Sequence, residues 1–242
     1  MDFLKKLRDF TKLNKQHLII SIGGWGKSAG FAPIATKEDT RHKFITHIVE
    51  FCEVYGLDGV DYDWEFPSNP QQKKAYANLI VETKNVFKKT GMIVTVAVGS
   101  HSQLAPDAYK AVDYVHLMSY DHDGKHSTFK ASEADVERHL AFGVPKEKLL
   151  LGVPFYGRNL NNRNNARKYS DIVRTYHPAA EADEAGGIYF NGINTIQKKT
   201  RYAMENRLAG IMIWEIGQDS MDETSLLGAV KRTVPDADLQ QR

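Results

Sequence analysis

The stretch Asp58-Gly59-Val60-Asp61-Tyr62-Asp63-Trp64-Glu65-Phe66-Pro67 holds the densest group of chemically capable side chains in the chain. Side chains alternate along a strand, so Asp61, Asp63 and Glu65 share one face while Tyr62 and Trp64 take the other. Hydrophobic and aromatic neighbours read this strand as buried. Three carboxylates on the inward face of a buried strand each forfeit several kcal/mol of hydration and repel one another. A polar strand end in solvent would escape that cost, but the flanking residues argue against it. Crowded carboxyls do not all ionise together, so the row is expected to retain protons near neutral pH, which is what a general acid requires. Asp58 falls off the alternation and reads as structural, shaping the turn with Gly59.

Such a row needs a scaffold. Short apolar runs rich in β-branched residues occur at His17–Ile22, Asp58–Asp63, Met92–Val98, Tyr114–Ser119, Leu149–Val153 and Gly210–Trp214. Continuous runs of this kind fit strands covered on both faces, as in a parallel sheet. Helix signals lie between them. Thr36-Lys37-Glu38-Asp39 predicts a capping box, Phe44, Ile45, Ile48, Val49 and Cys52 an apolar stripe, and Gly56 a helix stop. Asn69 and Pro70 predict the start of a helix ending by Gly91, and Ser132 one ending at Gly143. A last pair is predicted over Asn194–Asn206 and Thr224–Thr233. Residues 1–16 read as a helix with Phe3, Leu4, Leu7, Phe10 and Leu13 on one face. This alternation, without a Pro/Ser/Gly-rich linker, predicts one α/β domain over residues 1–242. Asn159–Asn165 reads as a polar surface loop.

Composition narrows the function classes. The 242 residues are 42% hydrophobic and 26% charged, ordinary for a folded soluble chain. A net charge of +2 gives no reason to expect nucleic acid or an anionic membrane as partner. No apolar run reaches the roughly 18 residues of a membrane helix. The single cysteine, Cys52, forms no internal disulfide and reads as a packing residue. MDFLKKLRDFTKLNKQ has no apolar core and is not a signal peptide. The compartment stays open. Asp121-His122-Asp123-Gly124-Lys125-His126 reads as a polar loop rather than a metal site, and His42 and His47 as members of a solvated helix face. No serine sits in a nucleophile elbow, and no Gly-rich phosphate loop follows a strand.

All three tryptophans, Trp25, Trp64 and Trp214, lie beside these strands. Aromatic side chains at strand ends can cover an apolar ligand face, which fits Trp214 and Trp25 to a binding cleft. Trp64 alternates away from the acids and is expected in the core.

DGVDYDWE resembles the D-G-x-D-x-D-x-E signature of glycoside hydrolase family 18, the chitinase family, at the fourth strand of a (β/α)8 barrel. Ser21-Ile22-Gly23-Gly24-Trp25 resembles that family's third-strand motif and Met118-Ser119-Tyr120-Asp121 its sixth-strand motif. Gly152-Val153-Pro154-Phe155-Tyr156-Gly157-Arg158 and Gly210-Ile211-Met212-Ile213-Trp214 resemble the seventh and eighth. The order is right and the whole chain is covered.

The resemblance implies hydrolysis of β-1,4 bonds between N-acetylglucosamine units, in chitin or its oligosaccharides, by a substrate-assisted retaining mechanism without metal or organic cofactor. Glu65 would be the general acid, Asp63 would orient the substrate's acetamido group and share a proton with Asp61, and Tyr120 would bond the attacking carbonyl. Asp121, Tyr156 and Arg158 would hold sugar groups, with Trp214 as a floor; Trp25, Phe66 and Met118 complete the substrate-binding set. For Met118, plain strand packing is the alternative. An endo-β-N-acetylglucosaminidase acting on N-glycans shares the acid pair. Sugar-binding relatives without activity typically lose the acid, and Glu65 is present; an inactive fragment is the third alternative.

The strand count departs from the family. The third-strand motif falls in the first strand of this chain, so the fold class expected is a (β/α)8 barrel type with six of eight units, N-terminally shortened. Open sheet edges and apolar helix faces would then favour self-association. The segment Asn159–Ala209 is expected to supply a loop and a helix, with little room for an added α+β lobe, and hence a shallow cleft.

Overall fold

The structure, a computed structural model, describes residues 2–235. Two compact units divide the chain, one running to Val115 and including Phe142–Lys148, the other formed by His116–Ala141 and the chain from Leu149 onward.

The first unit holds α1 (Asp2–Leu13), β1 (Ile19–Gly23), α2 (Phe31–Ala35), α3 (Glu38–Tyr55), β2 (Gly59–Asp63), α4 (Pro70–Phe87), β3 (Ile93–Gly99) and α5 (Pro106–Ala111); β4 (Tyr114–Met118) carries the chain across the division. β1, β2 and β3 pair in parallel, and their register sets Ser21, Asp61 and Thr95 in one row across three strands. Every residue of β2 is buried, as a strand covered on both faces requires. Gly59 fits there because a Cβ would meet the Ile93 carbonyl oxygen at 2.1 Å.

The helices follow their end signals with two corrections. α3 stops at Gly56, which takes the left-handed conformation (φ 63°) open to glycine. Its stripe buries Ile45, Ile48 and Cys52. α4 starts with Asn69 accepting the Gln72 N–H at 2.9 Å and Pro70 in the first turn. The capping box expected from Thr36 does not form. Thr36 ends the short α2 and donates to the Ala32 carbonyl, and Lys37 precedes α3 without a side-chain cap. Buried Arg41 joins these helices, donating to both Glu82 oxygens at 2.7 Å and to the Ala35 carbonyl at 2.8 Å. On α1 the predicted apolar face is largely uncovered, with Phe3 at 77%, Phe10 at 59% and Leu13 at 83% exposure.

The second unit holds α6 (Phe129–Ala141), β5 (Leu149–Pro154), β6 (Tyr156–Asn159), β7 (Ala166–Lys168), α7 (Tyr169–Tyr176), β8 (Glu184–Ala185), β9 (Ile188–Tyr189), α8 (Ile193–Glu205), β10 (Gly210–Trp214) and α9 (Leu226–Thr233). β5 and β10 pair in parallel, and Val153, Phe155, Ile172, Phe190, Ile196 and Leu226 form the core beside them. Ser132, expected to open a helix, lies inside α6. The start is Thr128, whose hydroxyl accepts the Ala131 N–H at 3.1 Å. The larger correction concerns Asn159–Ala209. Instead of a loop and one helix, this segment contributes to a four-stranded antiparallel sheet in the order β7-β6-β9-β8, with α7 packed on it through Tyr169, Ile172 and Val173. Its strands are two to four residues long, too short to show a period-2 pattern in sequence.

Six strand–helix repeats (β1, β2, β3, β4, β5 and β10, each with following helices) lie among the described residues. This is the (β/α)8-barrel type with six of its eight units, as the strand count predicts. No described helix is long and apolar enough to cross a membrane.

Candidate active site

In the first unit the carboxylate row sits at the C-terminal end of β2, the end where barrel enzymes carry their chemistry. Asp61 and Asp63 are buried, and Glu65 follows just past the strand. The row set by register becomes a clamp. The Thr95 hydroxyl donates to Oδ1 of Asp61 at 2.6 Å and the Ser21 hydroxyl to Oδ2 at 2.7 Å. Two hydroxyl donors thus fix the orientation of this buried carboxyl group.

Ser28 fixes the backbone beyond. Its hydroxyl donates to the Asp63 carbonyl at 3.1 Å and accepts the Glu65 N–H at 2.9 Å. The Gly24 N–H also donates to the Asp63 carbonyl, at 2.8 Å. Gly23, at φ 109°, allows that approach, since a Cβ there would fall 2.1 Å from the same oxygen. Phe66 packs its ring over Gly99. Asp58 has the structural role expected of it, accepting the Leu18 N–H at 2.7 Å. Trp64 lies in the core at 4% exposure, stacked on Phe31 at 5.2 Å with Tyr76 edge-on, whereas Trp25 is 82% exposed.

In the second unit, Tyr120 and Asp121 follow β4. Tyr120 donates to Sδ of Met212 at 3.9 Å, and Gly152 makes room for both: a Cβ there would fall 2.9 Å from Cε of Met212 and 3.1 Å from Cε1 of Tyr120. Asp121 adopts a left-handed backbone (φ 64°) and is gripped from three sides. Tyr156 donates to Oδ1 at 2.7 Å, Arg158 donates to Oδ1 and, at 2.6 Å, to Oδ2, and Nδ1 of His126 lies 3.6 Å from Oδ1. Burial pushes the Asp121 carboxyl up, but the nearby His126 ring and the bonds from Arg158 and Tyr156 outweigh it and hold the group well below the ordinary carboxylate range. Burial raises the Tyr156 phenol, with the Asp121 charge adding to it. Burial lowers the His126 imidazole. Met118 is half-buried and Trp214 is 51% exposed at the end of β10.

Within each unit, then, the residues singled out by sequence cluster at strand ends. Thr95, Ser28 and Met212 were not singled out as site residues. Thr95 had a signal, being the polar residue in the apolar run Met92–Val98. The loop Asp121–His126 uses its acids internally: besides the grip on Asp121, Arg163 donates to Asp123 at 2.5 Å. Among the described residues no three His, Cys, Asp or Glu side chains are grouped as metal ligands.

A sequence profile of glycosyl hydrolases family 18 matches residues 2–219. The chain is 25% identical over 278 residues to Probable chitinase 2 of Drosophila melanogaster, covering 86% of this chain and 57% of that protein. Among solved structures it resembles the GH18 chitinase ChiB from the chitin utilization locus of Flavobacterium johnsoniae, with a TM-score of 0.84 and 30% identity over 95% of this chain and 79% of that one. A chitinase from Bacteroides thetaiotaomicron gives 0.86 and 25%, over 95% of this chain and 80% of that one. The fold is the (β/α)-barrel type of these chitinase structures. The chain belongs to glycosyl hydrolases family 18. It spans little more than half the length of the Drosophila relative.

Proposed function

We propose that this chain is a glycosidase that hydrolyses β-1,4 bonds between N-acetylglucosamine units of chitin or chitooligosaccharides with retention. The observation that carries the reading is the clamped carboxylate: Asp61, held by Ser21 and Thr95, begins a row continued by Asp63 and Glu65. Family membership and relatives named chitinases support the substrate class.

In the proposed reaction Glu65 gives its proton to the glycosidic oxygen while the acetamido carbonyl oxygen of the substrate attacks the anomeric carbon, forming an oxazolinium ion. Glu65, now a carboxylate, takes a proton from the water that opens this ion. Asp63 accepts the acetamido N–H, and its negative charge offsets the positive charge of the intermediate. Asp61 and Asp63 share one proton, which passes to Asp61 as positive charge develops on the sugar and leaves Asp63 negative. Tyr120 donates to the attacking carbonyl, Asp121, Tyr156 and Arg158 form a rigid polar group for sugar hydroxyls, and Trp214, Trp25, Phe66 and Met118 supply apolar surface for pyranose faces.

The test is product release from chitin oligomers and, in parallel, from a high-mannose glycopeptide, beside Glu65→Gln. Loss of a positioned acid lowers turnover by about 10²–10⁴. Hydrolysis of oligomers that survives the substitution overturns the role of Glu65. Cleavage of the glycopeptide alone assigns the N-glycan activity instead, and binding without turnover in the unmodified chain assigns a sugar-binding protein or an inactive fragment. Self-association is a second reading, carried by exposed Phe3, Phe10 and Leu13 on α1. Light scattering should show a concentration-dependent mass that Phe10→Glu abolishes.

A further inference from the structure

Lys199 of α8 is wholly buried, and the proposed chemistry does not use it. Its Nζ donates to the Ser127 carbonyl at 2.9 Å, to the Ser127 hydroxyl at 2.8 Å and to Oδ1 of Asn191 at 2.8 Å. Asn191 is fixed in that orientation by its own amide, which donates to the Ser127 carbonyl at 2.8 Å. The Ser127 hydroxyl in turn donates to the carbonyl of Ser119 at 2.8 Å. Ser119 directly precedes Tyr120 and Asp121.

A proton count over these bonds has a consequence. A charged amine has three N–H donors and meets three acceptors, so the Ser127 hydroxyl accepts from Lys199 and spends its own proton on Ser119. A neutral amine has two donors and a lone pair. The Ser127 carbonyl and Oδ1 of Asn191 can only accept, so they take both donors. The Ser127 hydroxyl must then turn and donate to Nζ, which releases the Ser119 carbonyl.

We propose that Ser127 is a positioning residue for the Tyr120–Asp121 pair and that the charge on Lys199 decides whether Ser127 holds it. The proposal rests on the reading of Tyr120 and Asp121 as substrate-facing groups. A buried amine without a bonded carboxylate gives up hydration that no counter-ion repays, and simple packing of α8 would be served by an apolar side chain. The charged groups that act on it are Asp183 before β8 and Asp135 of α6, with His126 of the Asp121 loop beside it. Burial outweighs both acids and brings the amine down to about 7, so the latch changes state near neutral pH.

Hydrogen exchange of the intact chain tests this, read as protection of the segment 119–126 at pH values about one to two units either side of that point. Unmodified protein should lose protection roughly three- to tenfold on the alkaline side, the size expected for one buried hydrogen bond. Ser127→Ala should show the low protection at every pH. Lys199→Met should show the high protection at every pH, because the Ser127 hydroxyl keeps its proton on Ser119. An unchanged pH response in Ser127→Ala, or no response in the unmodified chain, overturns the proposal; if Lys199→Met does not fold, the Ser127→Ala comparison decides alone. On chitin oligomers the alkaline fall in kcat should be shallower in Lys199→Met. Stability should move the opposite way: unfolded lysine binds its proton more tightly, so raising pH removes a destabilising charge in the unmodified chain and has no such effect in Lys199→Met. Absence of any hydrolysis would overturn the glycosidase reading, while exchange still decides the latch.

Discussion

The Thr95 hydroxyl donates to Oδ1 of Asp61 across neighbouring parallel strands, at 2.6 Å. Asp61 and Thr95 are register partners, so the bond follows from strand pairing rather than from a loop that could drift. Ser21, partner on the other side, completes the clamp.

Thr95→Val keeps the shape of the side chain and removes the donor. A hydrogen bond to a charged group is worth about 1.5–3 kcal/mol, and without it Asp61 is less firmly placed to share the proton of Asp63. We expect kcat on chitin oligomers to fall about tenfold or more while circular dichroism stays unchanged. Ser21→Ala should act in the same direction, and the double variant should fall short of the product of the two, because both act on one carboxylate. Unchanged kcat in both single variants would remove Asp61 from the mechanism.

Asp58 and Asp63, five positions apart in the same acid-rich stretch, should separate stability from turnover. Asp58→Ala strands the Leu18 N–H, now bonded at 2.7 Å, and should cost about 1–3 kcal/mol in denaturant unfolding with kcat retained in the folded fraction. Asp63→Asn should do the reverse, leaving the unfolding midpoint near that of the unmodified chain and turnover reduced by at least about 10². Loss of cooperative unfolding in Asp63→Asn would mark that carboxylate as structural.

Asp121 links the second unit to pH. Its folded carboxyl titrates below the ordinary value of 3.8 despite burial, because the His126 ring lies close to the charged form and Arg158 and Tyr156 bond it. A depressed acid contributes stability that is present above the unfolded value and is lost as pH falls toward the folded one. Calorimetry from about pH 6 down to about pH 2 should therefore show Tm falling less steeply below about pH 4 in Asp121→Asn than in the unmodified chain. The variant should also start from a lower Tm, since Arg158 keeps its charge without a counter-ion. Parallel curves would show that the Arg158 pair adds nothing across that range.

Much of this was readable in the residues, for physical reasons. The carboxylate row, the six parallel strands and the stop at Gly56 each depend on patterns within a few positions: period 2, apolar runs, and a conformation that glycine favours. The clamp on Asp61 was not readable, because Ser21 and Thr95 lie 40 and 34 positions away and only strand register brings them together. The antiparallel sheet of the second unit was missed for a different reason. Strands of two to four residues carry no period, and the Asn-rich turn between β6 and β7 reads as a plain loop, although Asn159 accepts the N–H groups of Asn161 and Asn162 as a turn former. Thr36 failed as a cap because the short α2 claimed its hydroxyl first.

Gly152 offers the sharpest test of the second unit. It pairs with Met212 across β5 and β10, and a Cβ at this position would lie 2.2 Å from the Leu117 carbonyl oxygen, with Met212 and Tyr120 closing the remaining space. Met212 can yield, being unbranched and flexible, but the Leu117 carbonyl belongs to the backbone of β4 and cannot move without moving the chain that leads to Tyr120. Gly152→Ala should therefore cost about 1–3 kcal/mol by overpacking and should displace the Tyr120 ring. Because that ring is the proposed donor to the attacking carbonyl, kcat should fall further than the lost stability explains. Adding Met212→Ala should recover part of the unfolding midpoint by relieving the contact at Cε while leaving kcat low, since the clash with the backbone remains. Full recovery of kcat in the double variant would place the obstruction at Met212 rather than at Leu117.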